Sequence, residues 1–151
     1  MEKSEYIDQL VNLELNASEM YRIFSDVYEE DRDFWWGLSM EEVNHASLLK
    51  SIHYYVNLDI FPDEMIFKNI QEVVEINKYL VDTREDFKKN PSRKRAFDIA
   101  IEIENSAAES HFEKVMTEQT DDKVINVFKK LNRDDVNHLN RILKYMENNN
   151  I

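Results

Sequence analysis

Residues that interrupt helices are almost absent from this chain. It has 151 residues, but only one glycine, Gly37, and two prolines, Pro62 and Pro91. Because glycine and proline form tight turns and end helices, a chain with so few of them is poorly suited to a sheet built on many short hairpins. The sequence therefore predicts long helices, and its length suits a single domain over residues 1–151.

The charge balance and the cysteine count exclude several kinds of site and partner. The formal net charge is −12, and the chain has no cysteine. Nucleic acid and anionic membranes are bound through basic patches, so neither is expected as a partner. No apolar run is long enough to span a bilayer, and the start, MEKSEYIDQLVNLEL, lacks the apolar core of a secretory signal. We expect a cytoplasmic protein without disulfides, thiolate metal sites or iron–sulfur clusters.

Apolar residues recur at alternating steps of three and four, as in helices packed side by side. The pattern predicts helix 1 over about residues 4–29, helix 2 over about 31–59, helix 3 from about residue 90 and helix 4 after about residue 122. The connection over about residues 62–90 has helical periodicity and is expected to hold one or two shorter helices. The predicted fold class is all-α, a four-helix bundle with a long crossover between helices 2 and 3.

Local residues predict where these helices begin and end. Asn90 is an expected N-cap, followed by Pro91 at the first helical position. The side chains of Thr120-Asp121-Asp122 are expected to cap helix 4. Helix 2 is expected to end at Phe61-Pro62, because proline disfavours helix in the residue before it.

A five-residue phrase occurs twice, about ninety residues apart. EEVNH at residues 41–45 returns as DDVNH at residues 134–138, each with a carboxylate three residues before a histidine. Helices 1 and 3 share a second phrase, in which Glu14 and Glu104 are each followed by alanine three residues later and glutamate five residues later. Because both phrases recur in the same order, the chain is expected to consist of two helical hairpins of related design.

Six ionisable residues fall on the apolar seams of these helices. They are Glu14, Glu42, His45, Glu104, Asp135 and His138. A bare carboxylate in a packed core is costly unless it is paired, protonated or bound to a metal. Residues three apart on a helix share a face, so each carboxylate–histidine pair can present one oxygen and one nitrogen to the same point. Two divalent cations would balance the four carboxylates, whereas a buried polar network or a degenerate site without metal is the alternative explanation.

Oxygen and imidazole ligands without thiolate suit iron or manganese, and zinc is an alternative. Helical bundles that bind two such ions through carboxylates use this ligand scheme. The chain resembles the ferritin-like superfamily and, within it, rubrerythrin-like di-iron carboxylate proteins that lack the rubredoxin domain. The resemblance covers Glu14 through His138, and DFWWGLSMEEVNHASLL at residues 33–49 is similar to the second helix of that family.

The resemblance implies two iron ions in a ferritin-like bundle, held by the six seam residues. Glu42 and Glu104 would bridge both ions, and His45 and His138 would be terminal nitrogen ligands. Asp135 takes the fourth carboxylate position, where the family usually has glutamate, and its shorter side chain favours chelation of one ion over bridging.

Two further departures set the chain apart from the rubrerythrin peroxidase cycle, although not from the metal site. Ala107 occupies a position where rubrerythrin-like sites commonly carry a second carboxylate. The chain also has no cysteine for a rubredoxin-like iron centre, so any turnover would need an external electron donor.

The expected function is that of a di-iron, or mixed iron–manganese, protein that reacts with O2 or hydrogen peroxide. Whether it turns over as an oxidoreductase of the peroxidase or ferroxidase type stays open. Non-catalytic iron binding, as in storage, transport or sensing, is the first alternative, and a metal-free interaction bundle is the second. The resemblance also implies a homodimer.

Other residues near the seams have simpler explanations. His111 follows Glu104 by seven residues, as Tyr21 follows Glu14. A core histidine and a packed tyrosine are simpler interpretations of these two than an extra ligand or a radical site. No role is expected for His53.

An aromatic group precedes the paired acids of helix 2. Phe34, Trp35 and Trp36 fit core packing or a dimer contact. The single glycine follows directly, and Gly37 costs the helix up to about 1 kcal/mol relative to alanine. We interpret Gly37 as a position that permits close contact between helices.

Overall fold

The computed structural model describes the backbone of residues 2–63, 69–111 and 122–151, and the side chains of these residues except 107–111. All regular structure within these ranges is helical, which confirms the predicted all-α class. The helices are α1 (Glu2–Val27), α2 (Arg32–Ser51), α3 (His53–Asn57), α4 (Ile70–Lys89), α5 (Arg93–His111) and α6 (Lys123–Asn149), with one 3-10 turn at Glu29–Asp31 between α1 and α2. None of the described helices combines the length and the apolar character that crossing a bilayer requires.

The chain divides into two compact units, Met1–Lys88 and Lys89–Ile151. Helices α1 and α2 pack against each other in the first unit, where α3 and α4 also lie. The second unit is the pair α5 and α6. The two helical hairpins that the internal repeat predicts are therefore present, one in each unit.

An aromatic cluster forms one end of the core in the first unit. The ring of Trp35 stacks on Tyr21 with a centroid distance of 5.7 Å and meets the edge of Phe24 at 5.0 Å. Phe87, near the end of α4, contacts Phe24 at 4.8 Å. All four side chains are buried, so they fix the end of α4 against the α1–α2 hairpin.

A buried amide fixes the middle of α4 against α1. Asn77 accepts a hydrogen bond from Nδ2 of Asn16 at 2.9 Å and donates to the backbone oxygen of Gln9 at 2.9 Å. The predicted crossover thus differs from expectation, because it contains a helix of 20 residues, as long as α2. Packing of its buried face stabilises a longer helix than its own β-branched residues would favour.

The N-terminal caps of α5 and α6 are local side chains. Asp122 accepts a hydrogen bond from the backbone N–H of Ile125 at 3.0 Å, which confirms this part of the predicted cap, while Thr120 and Asp121 lie outside the described residues. At α5 the cap is Ser92, which accepts from the N–H of Arg95 at 3.1 Å, so the predicted cap at Asn90 is wrong. An N-cap side chain accepts from the amide two or three residues later, and Ser92 meets that spacing with Arg95.

The helix that follows α2 ends before the predicted Phe61-Pro62. Ile60 donates its backbone N–H to the oxygen of Tyr55, and Asp59 donates to that of Val56, both at 3.0 Å. Asp59 has a φ of 55°, so this end is a Schellman motif with a left-handed residue. Beside it, His53 lies 2.9 Å from Oδ1 of Asp8 through its Nε2, and so links α3 to α1 although the sequence suggested no role.

Candidate metal centre

The first unit brings three of the six seam residues together, and we call Glu14, Glu42 and His45 cluster 1. Nδ1 of His45 lies 2.9 Å from Oε2 of Glu42 and 3.6 Å from Oε2 of Glu14. Each residue offers one possible ligand atom, and these three atoms lie within 4.8 Å of one another. Glu42 and His45 are buried, and the side chain of Glu14 is 12% exposed.

The alignment of α1 with α2 next to cluster 1 depends on two serines. Oγ of Ser18 donates to the backbone oxygen of Ser39, and Oγ of Ser39 donates to that of Ser18, both at 2.9 Å. Ser18 follows Glu14 by one helical turn, and Ser39 precedes Glu42 by about one turn. This pair was not predicted from the sequence, although two small polar residues, each about one turn from a seam acid, were a usable signal.

Burial and the neighbouring charges shift the protonation of cluster 1 in the metal-free protein. Burial raises the pKa of Glu14 from 4.5 to about 8, against the opposing effect of a hydrogen bond with His45. Burial lowers the pKa of His45, but hydrogen bonds and charges from Glu14 and Glu42 outweigh it and raise that pKa to about 11. Without metal, cluster 1 therefore holds protons at neutral pH that a bound cation would displace.

These shifts predict how the stability of the metal-free protein depends on pH. A group whose pKa is raised by folding binds its proton more tightly in the folded state, so its contribution is present below the unfolded pKa and lost as pH rises through the folded pKa. For Glu14 this window runs from 4.5 to about 8, and for His45 from 6.5 to about 11. We expect the free energy of unfolding, measured by urea titration in the presence of a chelator, to fall steadily from about pH 5 to about pH 8.

Two glutamine variants separate the effect of Glu14 from general charge effects. Glu14→Gln removes the group that titrates in this window, so the fall in unfolding free energy should become clearly shallower. Glu19→Gln is the matched control on α1, because the ion pair with Arg22 lowers the pKa of Glu19 and moves its titration below the window. An unfolding free energy that rises between pH 5 and pH 8 would contradict the assignment of a raised Glu14 pKa.

The second unit holds the other three seam residues, and we call Glu104, Asp135 and His138 cluster 2. Nδ1 of His138 on α6 lies 3.6 Å from Oε1 of Glu104 on α5. Asp135 lies three residues before His138 on α6, so both project from the same face of that helix. All three side chains are buried. Each hairpin therefore carries two carboxylates and one imidazole from two facing helices.

The donor chemistry of both clusters fits a divalent cation. Each cluster offers carboxylate oxygens and an imidazole nitrogen, the set that iron, manganese and zinc accept. Within the described ranges no lysine or arginine is buried, so neither of these side chains enters the core to neutralise the acids. The residues present thus fit a metal centre in their type and burial, and the distances within cluster 1 and between Glu104 and His138 are short enough for shared binding of an ion.

Other candidate residues take the simpler roles expected of them or fall outside the description. Tyr21 is buried and packs on Trp35 and Phe24, which confirms packing. Glu19 lies at the surface and pairs with Arg22. The side chains of Ala107 and His111 lie outside the described residues.

Comparison of the chain with models of known protein families, with curated proteins and with solved structures gives no match. The case for a metal centre therefore depends on the chemistry of the buried clusters themselves.

Proposed function

We propose that the chain is a ferritin-like di-metal carboxylate protein in which clusters 1 and 2 close around two iron ions. The proposal includes the arrangement of the two hairpins as a four-helix bundle, with α4 as its crossover. It assigns the protein to reaction with O2 or hydrogen peroxide, using an external reductant, with manganese or zinc as alternative occupants.

One observation carries the proposal: two hairpins of related sequence each hold two carboxylates and one imidazole at buried or nearly buried positions. In cluster 1, His45 is within 3.6 Å of both acids. In cluster 2, His138 is at the same distance from Glu104. With the four carboxylates ionised and the two imidazoles neutral, the clusters would carry negative charge that a pair of divalent cations would balance, in place of the protons that cluster 1 holds without metal.

The residues have distinct tasks in this proposal. Glu42 and Glu104 would each contact both ions, while His45 and His138 would each supply a nitrogen to one ion. When bound, the iron pair would supply the redox chemistry that O2 or peroxide needs. Leu38 and Leu49 are buried one turn to either side of the α2 ligands, so they would keep water from that side of the site.

Anaerobic titration with iron(II) tests the proposal directly. Metal-free protein should retain about two iron ions per chain after dialysis, since the four carboxylates balance two divalent charges. Subsequent exposure to oxygen should produce a ferric absorption band in the near ultraviolet. Consumption of peroxide with an added reductant, measured on the same sample, then separates turnover from simple binding.

The possible outcomes separate the functional classes. Iron retention without consumption of peroxide or O2 would show that the protein binds iron but is not an oxidoreductase. A large cage detected by light scattering would indicate iron storage. Failure to retain iron(II), manganese(II) or zinc(II), with the fold intact by circular dichroism, would refute the metal centre and leave a metal-free interaction bundle.

A further inference from the structure

A second stripe of residues runs along α2, beside the seam that faces the core. Its members recur at alternating steps of three and four, the spacing of a coiled-coil seam. We call this stripe the outer seam, and it consists of Asp33, Trp36, Met40, Val43, Ser47 and Lys50. It covers nearly the whole helix, a length of about 26 Å.

The outer seam is open to solvent in the single chain. Trp36 is 50% exposed and Met40 is 43% exposed, and they are adjacent on the same face. Asp33, Ser47 and Lys50 are exposed, and Val43 is half-buried. A tryptophan and a methionine side by side in water form an apolar contact surface of the kind enriched in protein interfaces.

The order of residues along the outer seam is complementary to itself in the antiparallel direction. When two copies of α2 run in opposite directions about a two-fold axis between Met40 and Val43, Asp33 of each meets Lys50 of the other. Trp36 then meets Ser47, a large side chain against a small one, and Met40 meets Val43. These are the a-to-d layers of an antiparallel coiled coil, and the contact is isologous, as a two-fold dimer requires.

Residues at and beside the outer seam permit this close approach. Ser47 donates its hydroxyl to the backbone oxygen of Val43 at 3.1 Å, so it faces Trp36 of a second copy with its polar group already bonded. Apart from the neighbouring backbone of α2 itself, no atom of the described structure lies within 4 Å of the position that a Cβ on Gly37 would occupy, so Gly37 serves no close contact with another helix among the described residues. The close contact that we expected of Gly37 is thus available to a second molecule.

The charges favour a second copy over an unrelated partner. Neither Asp33 nor Lys50 has an ion-pair partner in the described part of the chain. One is acidic and one is basic, so a partner must present the opposite order, and an antiparallel copy does so at both ends of the seam. The outer seam is electrically balanced, whereas the chain has a net charge of −12 that would repel a second copy at other surfaces.

We propose that the outer seam of α2 is the interface of an antiparallel homodimer. In this dimer Asp33 and Lys50 form reciprocal ion pairs, and Trp36 makes the largest contribution to the binding free energy. No residue of this interface belongs to either metal cluster, so the dimer can be tested independently of the proposed function.

Charge exchange between two variants tests the register. Asp33→Lys places two lysines opposite each other at both ends of the dimer, and Lys50→Asp places two aspartates there. Each variant alone should raise the dimer dissociation constant at least about tenfold, as like charges meet across the interface.

An equimolar mixture should restore dimers of one variant with the other. One end of such a dimer joins the introduced lysine to the introduced aspartate, and the other end keeps the original pair of Asp33 with Lys50. Sedimentation equilibrium of the wild type, of each variant and of the mixture, with and without metal, measures these states.

Two further variants test the contact surface. Trp36→Ser should weaken the dimer by about thirtyfold. Gly37→Gln should also weaken it while leaving the circular dichroism of the single chain unchanged. Leu143→Ser is the matched control, because Leu143 is an exposed apolar residue on α6, outside the outer seam. A monomeric wild type at about 50 μM, or dimers lost in Leu143→Ser but kept in Trp36→Ser, would refute the interface, as would a mixture of charge variants that stays monomeric.

Discussion

Saturating the metal-free protein with iron(II) under anaerobic conditions is expected to raise its melting temperature by about 10 °C. A cation that binds only the folded chain stabilises it by about 4 kcal/mol when its concentration is a thousand times the dissociation constant. The increase should grow from pH 6 to about pH 8, because binding displaces the protons that Glu14 and His45 hold. Differential scanning calorimetry in sealed cells measures this shift.

Glu42→Gln should abolish most of this thermal increase, since it removes one ligand charge from a buried cluster with little change of shape. Glu41→Gln is the matched control, because it makes the same chemical change one residue earlier on α2, where the side chain is not fully buried. In the second hairpin, Glu104→Gln should also lose the increase, and exposed Glu102 supplies its control. A metal-induced increase that survives both ligand variants would exclude these residues as ligands.

The number of ions lost in each variant reports whether the two clusters act together. If Glu42 and Glu104 each contact both ions, Glu42→Gln alone should reduce the bound iron from about two ions to fewer than one, because each ion loses a ligand. Independent clusters would instead retain one ion after either substitution. Iron analysis after dialysis distinguishes these results, and the second would overturn the joint centre while keeping two separate metal sites.

Trp35→Ala is expected to destabilise the fold by about 3–5 kcal/mol, because it empties a large buried site. Trp35 contacts Tyr21, Phe24 and Phe34 with centroid distances of 5.0–5.7 Å, so several rings lose a packing partner together. Urea unfolding followed by far-ultraviolet circular dichroism measures the loss.

Tyr54→Ala is the control for this core variant, because its ring is 64% exposed. Its removal should cost less than about 1 kcal/mol, as for surface substitutions in general. Similar losses for Trp35→Ala and Tyr54→Ala would contradict the assignment of the aromatic cluster as the core at this end of the first unit.

The helical period made the site positions predictable from sequence. Glu14, Glu42 and Glu104 were placed on apolar seams by steps of three and four, and all three are buried or nearly so. The pairing of His45 with Glu42 follows from the same period, because residues three apart always share a face. The presence of ions and the joining of the two clusters stay predictions, since neither follows from periodicity.

Features that depend on contacts between distant residues were less predictable. The length of α4 is an example, since the hydrogen bonds of Asn77 with Asn16 and Gln9 join residues more than sixty positions apart. The start of α5 was missed for a local reason, because both Asn90 and Ser92 can cap a helix and only the backbone geometry selects between them. The buried Asp31 is a further acid that no sequence pattern singled out.

The two reciprocal hydrogen bonds between Ser18 and Ser39 fix the position of α1 along the axis of α2. Sliding α1 along α2 by one turn, about 5.4 Å, would break both bonds and carry the Glu14 carboxylate beyond reach of the His45 ring. The donor atoms of cluster 1 are therefore held at matching heights by hydrogen bonds about one helical turn away from them. If cluster 1 binds an ion as proposed, these hydrogen bonds would order its donor atoms beforehand, so that binding would require less reordering of the hairpin.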